Sequence, residues 1–198
     1  MSNSNPVPGE ELIRQALLES VEVTTAFLEQ HISIVTQLSE IFINALRAGK
    51  KLVLFGNGGS AADAQHIAAE LVNRFQLDRD VLAAIALTTD TSILTSVGND
   101  RAFDQIFSRQ VRALVQQDDV VAGISTSGNS PNVINGIIAA KEKGAITVGF
   151  TGHSGGELKN LVDICCQVPS ASTPRVQETQ LIIWHALCET VEQGIYGG

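Results

Sequence analysis

From residue 51 onward the sequence repeats one unit: a short apolar run, a turn of small residues, and a stretch whose apolar positions recur at helical spacing. Strands that alternate with helices in this way lie parallel in a sheet covered by helices on both faces. Lys51–Phe55 reads as the first strand, Gly56-Asn57-Gly58-Gly59 as a turn, and Ser60 as the N-cap of a helix running through Arg74. Further strands are expected near Ala83–Leu87, Val120–Ser125, Ile146–Thr151 and Asp163–Val168. Helices are expected near Ser92–Val97, Phe103–Val115, Asn132–Lys143 and Pro174–Gln193. The expected class is therefore α/β, a three-layer αβα arrangement.

Ahead of this core the spacing predicts two helices. The first, Glu10 to about His31, carries Leu12, Ala16, Val23, Phe27 and Leu28; the second carries Ile34, Leu38, Ile41, Phe42, Ala45 and Leu46 and stops at Gly49. A βαβ unit requires neither, so their apolar faces are candidates for packing against another subunit. With 198 residues the chain is expected to form one domain, 1–198, with helices over about 1–48 and the α/β core over 51–198.

Charge and cysteine usage narrow the function classes. Thirteen Lys and Arg stand against 21 Asp and Glu, a formal net charge of −8 with no basic run, which argues against a general nucleic-acid or anionic-membrane binder. No apolar run approaches the roughly 18 residues that span a bilayer. The polar, acidic start Met-Ser-Asn-Ser-Asn-Pro-Val-Pro-Gly-Glu-Glu has no apolar segment, so no secretory leader is expected and the expected compartment is the cytoplasm. Cys165, Cys166 and Cys188 are odd in number and lack metal-type spacing, which fits buried thiols in a reducing compartment.

Two strand-to-helix loops stand out, because open α/β sheets bind ligands at the carboxyl ends of their strands. Gly56-Asn57-Gly58-Gly59-Ser60 lets backbone approach a ligand and opens a helix whose first N–H groups are unpaired. Ser125-Thr126-Ser127-Gly128-Asn129-Ser130 brings four hydroxyls and orphan amides, with Pro131 as a first-turn residue. Such a loop can hold a phosphate without Lys or Arg. Gly56-x-Gly58-x-x-Ala61 formally fits a dinucleotide fingerprint, but the acid expected about 20 residues later is missing, and no Gly-Lys-Ser/Thr marks a nucleotide P-loop.

Titratable residues add a second theme. His66 and Glu70, four apart, share one face of the helix after the first loop, as a metal ligand and a ligand or general acid/base. Gln177 and His185, eight apart on the last helix, can reach one side. Taken singly, His-x-x-x-Glu more often marks a solvated face, and a lone His in Ile182-Ile183-Trp184-His185-Ala186-Leu187 a core residue. His31, at a helix end, and His153, in a loop, look ordinary.

In order along the chain come Gly56-Asn57-Gly58-Gly59-Ser60, His66-x-x-x-Glu70-Leu71, Asn99-Asp100, Ser125-Thr126-Ser127-Gly128-Asn129-Ser130, Arg175-Val176-Gln177-Glu178 and His185. Together they resemble the phosphoheptose isomerase family of sugar-isomerase (SIS) domain proteins, over nearly the whole chain. The resemblance implies a flavodoxin-like sheet, a homotetramer with sites at subunit boundaries, and one Zn²⁺ per subunit. It implies conversion of the sugar phosphate sedoheptulose 7-phosphate to D-glycero-D-manno-heptose 7-phosphate, the first step toward ADP-heptose and lipopolysaccharide. By motif, His66, Glu70, Gln177 and His185 match the zinc positions, and Glu70 and His185 the acid/base pair. Asn57, Gly58, Gly59, Ser60, Glu70, Asn99, Asp100, Ser125, Thr126, Ser127, Ser130 and Gln177 match substrate-contacting positions. Ser172-Thr173-Pro174 stands where some relatives carry an acid.

Aldose–ketose exchange suits these residue types, since it needs two titratable groups flanking the carbon chain and a holder for the developing oxyanion. The residues leave open which of Glu70 and His185 takes the first proton. The rival class is a non-catalytic SIS adaptor associated with the replication initiator; such relatives tend to lack the Glu and the last-helix His that this chain retains. A phosphosugar-sensing regulator would need residues for a DNA-binding module.

Overall fold

The computed structural model describes residues 8–197. The stretch Met1–Val7, which contributes most of the polar start weighed above against a leader, lies outside the described residues.

Five strands form one parallel sheet: β1 (Leu52–Gly56), β2 (Ala84–Ala86), β3 (Val120–Ile124), β4 (Ile146–Thr151) and β5 (Ile164–Gln167), in the order β2-β1-β3-β4-β5. This is the flavodoxin-like order. The helices are α1 (Pro8–Arg47), α2 (Gly59–Val72), α3 (Thr91–Asp100), α4 (Ile106–Leu114), α5 (Pro131–Glu142), α6 (Leu158–Leu161) and α7 (Thr173–Tyr196). Side chains alternate across the sheet with period two. Leu52, Leu54, Val120, Ala122 and Ile124 pack under α1, α2 and α7. Val53, Phe55 and Val121 pack under α4 and α5. Buried on both faces, the central strands read as continuous apolar runs, which is why they were legible.

The order has one consequence for function. After β1 the chain moves to one side of it to make β2, and then to the other side to make β3. The loops leaving β1 and β3 therefore diverge and leave a crevice between them, the topological switch point of such sheets. Gly56 pairs in register with Ile124, so the glycine loop and the hydroxyl loop start at the same level of the sheet.

Three expectations are corrected. The two N-terminal helices are one continuous helix of 40 residues, about 60 Å long at 1.5 Å per residue. No Gly or Pro lies between His31 and Ile34, and the buried positions Phe27, Val35, Leu38 and Phe42 carry a single stripe through that junction. His31 accordingly lies mid-helix. The helix does end at Gly49, at φ +72, where the Gly49 N–H bonds to Leu46 O and the Lys50 N–H to Ala45 O in a Schellman arrangement. Ser60 is not an N-cap: α2 opens at Gly59 with Gly58 in the cap position, at φ +56. The short helix α6 had no counterpart in the sequence reading.

The halves of α1 differ. Its second half packs on α7, where Trp184 lies between Phe42 and Phe150 at ring-centroid distances of 6.0 and 4.1 Å. Truncating a buried aromatic of this kind costs on the order of 3–5 kcal/mol, and this one immediately precedes His185. Along the first half, Leu12, Ile13, Leu17, Leu18 and Val21 are exposed.

Candidate active site

The loop after β3 is held on every side. The Gly128 N–H turns back to Ser125 O at 2.9 Å, the Gly152 N–H bonds to Thr126 O and the Leu158 N–H to Gly128 O. The Glu157 N–H donates to Asn129 Oδ1 at 2.9 Å. Gly128 sits at φ +69, and a Cβ there would come within 2.0 Å of Gly155 O, so only glycine fits. The Ser125 and Ser130 hydroxyls lie 3.0 Å apart, with Ser127 Oγ 3.5 Å from Ser125 Oγ. The N–H groups of Thr126, Ser127 and Ser130 have no backbone acceptor among the described residues. Converging hydroxyls and free N–H groups at the start of α5 form a neutral cradle for an anion. Beside it opens a cavity of about 220 Å³ lined by Thr126, Ser127, His153, Ser170 and Thr173.

The glycine loop is tied to the hydroxyl loop by a reciprocal amide pair. Asn57 Nδ2 donates to Asn132 Oδ1 and Asn132 Nδ2 to Asn57 Oδ1, each at 2.8 Å. Asn132, buried at the start of α5, was not singled out in the sequence, where one Asn after a Ser-Pro turn carries no signal. At Gly59 the missing side chain makes room for another residue: a Cβ would lie 2.6 Å from Gln177 Nε2. The amide of α7 thus rests on the opening of α2, a contact between residues far apart in the sequence.

Further along the same two helices, His66 and Glu70 of α2 meet His185 of α7. His66 Nε2 lies 3.2 Å from Glu70 Oε1 and 3.4 Å from His185 Nε2, and the two imidazole rings meet edge to face. Phe75 lays its ring 5.6 Å from that of His185. His185 is half-buried and reaches the cluster, although its neighbours Ile183 and Trp184 are core residues. Asp63, one turn before His66, was also missed. Burial pushes its carboxyl above the ordinary value while His66 pulls it down, and Asp63 Oδ2 is buried without a partner among the described residues. The signal available was the i, i+3, i+7 row Asp63, His66, Glu70 on one helix face.

The SIS domain family profile matches residues 17–152. The phosphoheptose isomerase of Aquifex aeolicus is 51% identical over 183 residues, 92% of this chain and 96% of that protein. That of Sulfurimonas denitrificans is 46% identical over 187 residues, 93% of this chain and 96% of that protein. The structure of phosphoheptose isomerase from Neisseria gonorrhoeae superposes with a TM-score of 0.88 at 40% identity, covering 93% of this chain and 98% of that one. The chain belongs to the phosphoheptose isomerase family of SIS-domain proteins.

Against the family's motif positions, the fold gathers three sets. Asn57, Gly58 and Gly59 line one wall of the switch-point crevice, and Ser125, Thr126, Ser127 and Ser130 the other. His66, Glu70 and His185 form the cluster, with Gln177 reaching Gly59. Ser60 is buried, its Cβ where a Gly56 side chain would fall, so it faces the interior of the turn. Asn99 and Asp100 end α3, exposed and bonded to each other at 2.8 Å, with no hydrogen bond to either loop or to the cluster among the described residues.

Proposed function

We propose that this enzyme isomerises sedoheptulose 7-phosphate to D-glycero-D-manno-heptose 7-phosphate, the entry to ADP-heptose and lipopolysaccharide heptose. The observation that carries the reading is the convergence of His66, Glu70 and His185 from two helices, one of them the helix that opens at the glycine loop tied to the neutral anion cradle. The phosphate sits on the hydroxyls and N–H groups of Ser125, Thr126, Ser127 and Ser130, whose bonds to a charged acceptor are each worth about 1.5–3 kcal/mol. Anchored there, the carbon chain extends along Asn57, Gly58 and Gly59 so that C1 and C2 reach Glu70 and His185. Asn99 and Asp100 complete the contacts to its hydroxyls.

The reaction moves one hydrogen from C1 to C2 and one from O1 to O2, with no net gain or loss. A base removes the C1 proton to give the enediol(ate), and an acid delivers a proton at C2. Glu70 and His185 are the two groups for this, each good for roughly 10²–10⁴-fold. The adaptor alternative gives no reason for these side chains to meet.

The donor types at the cluster, two imidazoles and a carboxylate, suit a zinc ion, although among the described residues no three His, Cys, Asp or Glu are gathered closely enough to hold one as they stand. Two tetrahedral ligands, each about 2.0–2.1 Å from Zn²⁺, stand about 3.3 Å apart, and the separations from His66 Nε2 are 3.2 and 3.4 Å. His66, Glu70, His185 and Gln177 would hold it. When bound, it would polarise the oxygens at C1 and C2.

The same reading includes a homotetramer with sites at subunit boundaries, supported by the exposed apolar row along the first half of α1. It places the enzyme in the cytoplasm, in keeping with three free cysteines; no helix of the described residues is long and apolar enough to cross a membrane. The test is to follow sedoheptulose 7-phosphate by NMR with the purified protein, after chelation, and with zinc restored. Aldoheptose 7-phosphate should accumulate, stop with chelation and resume with zinc. No turnover with any divalent metal overturns the assignment.

A further inference from the structure

Seven residues beyond His185 on α7, Glu192 is buried with only 1% of its surface exposed. Burying a carboxylate is unfavourable unless its lone pairs are met by charge and hydrogen bonds. Glu192 meets four donors, all from one short segment: the N–H groups of Phe75, Gln76 and Leu77 at 2.9, 2.7 and 2.7 Å, and Arg79 Nε at 2.8 Å. The side chain of Arg79 is also only 1% exposed, and its two terminal nitrogens bond to backbone. Its Nη2 bonds to Glu70 O at 3.0 Å and its Nη1 to Leu71 O and Asp80 O, each at 2.9 Å. One guanidinium therefore caps the last turn of α2 at the carbonyl of Glu70 itself. Through Phe75, whose N–H it holds, the Glu192 carboxylate also fixes the ring that lies beside His185.

A buried ion pair is a poor way to gain stability alone, since apolar side chains of the same volume serve as well. What this pair supplies is direction: Glu192 on α7 holds the segment Phe75–Arg79 that follows α2, and Arg79 in turn holds the carbonyls of Glu70 and Leu71 at the end of α2, so the two helices that carry His185 and Glu70 are linked through it. We infer that Arg79 and Glu192 are positioning residues that set the approach of Glu70 to His185, and so control both proton transfer and zinc affinity. The inference rests on the reaction proposed above.

The fold contains its own control. Asp119 is also 1% exposed, and it binds the Lys51 side chain and the N–H groups of Lys51 and Gln116 at 2.5, 3.1 and 2.8 Å. It does so at the amino-terminal ends of β1 and β3, the opposite end of the sheet from both loops.

The experiment compares E192Q, R79K and D119N with the wild type for melting temperature, kcat and KM on sedoheptulose 7-phosphate, and zinc affinity by competition with a chromogenic chelator. E192Q should lose about 10–100-fold in kcat and a similar factor in zinc affinity, the range for partners that orient metal ligands, while KM stays within about twofold. R79K keeps the charge but releases the Glu70 and Leu71 carbonyls; it should give the same split, and it carries the test if E192Q does not fold. D119N should melt lower with kcat and zinc affinity unchanged. The inference is overturned if the clamp variants bind zinc and turn over as the wild type does, or if D119N loses activity in step with its stability. If the wild type itself does not turn over, the functional reading fails, and the zinc-affinity comparison still decides the role of the clamp.

Discussion

The loop Ser125–Ser130 closes on itself within six residues, whereas His66 and His185 meet across a separation of 119 residues. The first is local chemistry: a left-handed glycine, short side chains and a helix start impose the cradle, and β4 and its following loop brace it. The second is tertiary. It exists only because α2 and α7 pack on the same face of the sheet, held in register by Trp184 in the core and by the Arg79–Glu192 pair at the far end. One end of the site should therefore govern binding and the other chemistry, and substitutions can test that division.

The largest effect is expected at the tertiary end. On the proposed reaction, Glu70→Gln takes away a proton-transferring group but keeps an oxygen that can still bind, so kcat should fall by about 10²–10⁴-fold with KM little changed. Steady-state kinetics on sedoheptulose 7-phosphate check this; a lost affinity with normal kcat would reverse the roles of the two ends.

Next comes the local end. Gly128→Ala places a methyl group against Gly155 O and forces a non-glycine residue to positive φ, at a cost of at least about 1–3 kcal/mol in strain. The loop should open and KM rise by about 10-fold or more, the loss of one or two bonds to a charged group. Urea titration and kinetics on the same sample separate the two consequences. A rise in KM without a loss of stability would mean that the cradle is less rigid than its hydrogen bonds indicate.

Asn132→Ala probes the bridge between loops. It leaves the half-buried amide of Asn57 without its partner, a loss of about 1–3 kcal/mol. KM should rise several-fold with kcat near normal, because the crevice widens while the cluster is untouched. A fall in kcat instead would show that the amide pair also registers the helices.

The same division explains what the sequence reveals. Strands such as Leu52–Gly56 and Val120–Ile124 are buried on both faces and announce themselves as apolar runs, and both glycine- and serine-rich loops sit where strand grammar gives way to helix grammar. Contacts between distant segments leave no such trace. Residue types alone do not say that Gly59 is small because Gln177 lies on it, that Asn132 pairs with Asn57, or that Glu192 reaches back to Arg79. The split of α1 into two helices has the opposite cause: the apolar spacing on either side of His31 reads as two separate runs, though one buried stripe crosses the junction and the backbone has no reason to stop.

The smallest effect expected is in acid, and it also separates the two ends. Burial pushes the Glu192 carboxyl up, but three N–H bonds and Arg79 outweigh it and hold it below its ordinary value. A carboxyl depressed in the folded state stabilises the fold above its unfolded value, about 4.3, and that contribution is lost as pH falls through the lower, folded value. Above pH 5 the clamp is fully charged and its stabilisation complete; below about 4.3 the unfolded chain takes the proton first and the clamp weakens. The loop Ser125–Ser130 has no titrating side chain, so acid has no direct hold on it. Melting temperatures of wild type and E192Q should therefore differ most near neutral pH and converge as pH drops below 4.3, at roughly 2–4 °C per kcal/mol for a chain of this size. Amide exchange, corrected for its intrinsic rate, should localise the loss to Phe75, Gln76 and Leu77 before Gly128 gives way. Simultaneous loss at both places would mean that the two ends are one cooperative unit and that the division fails under acid.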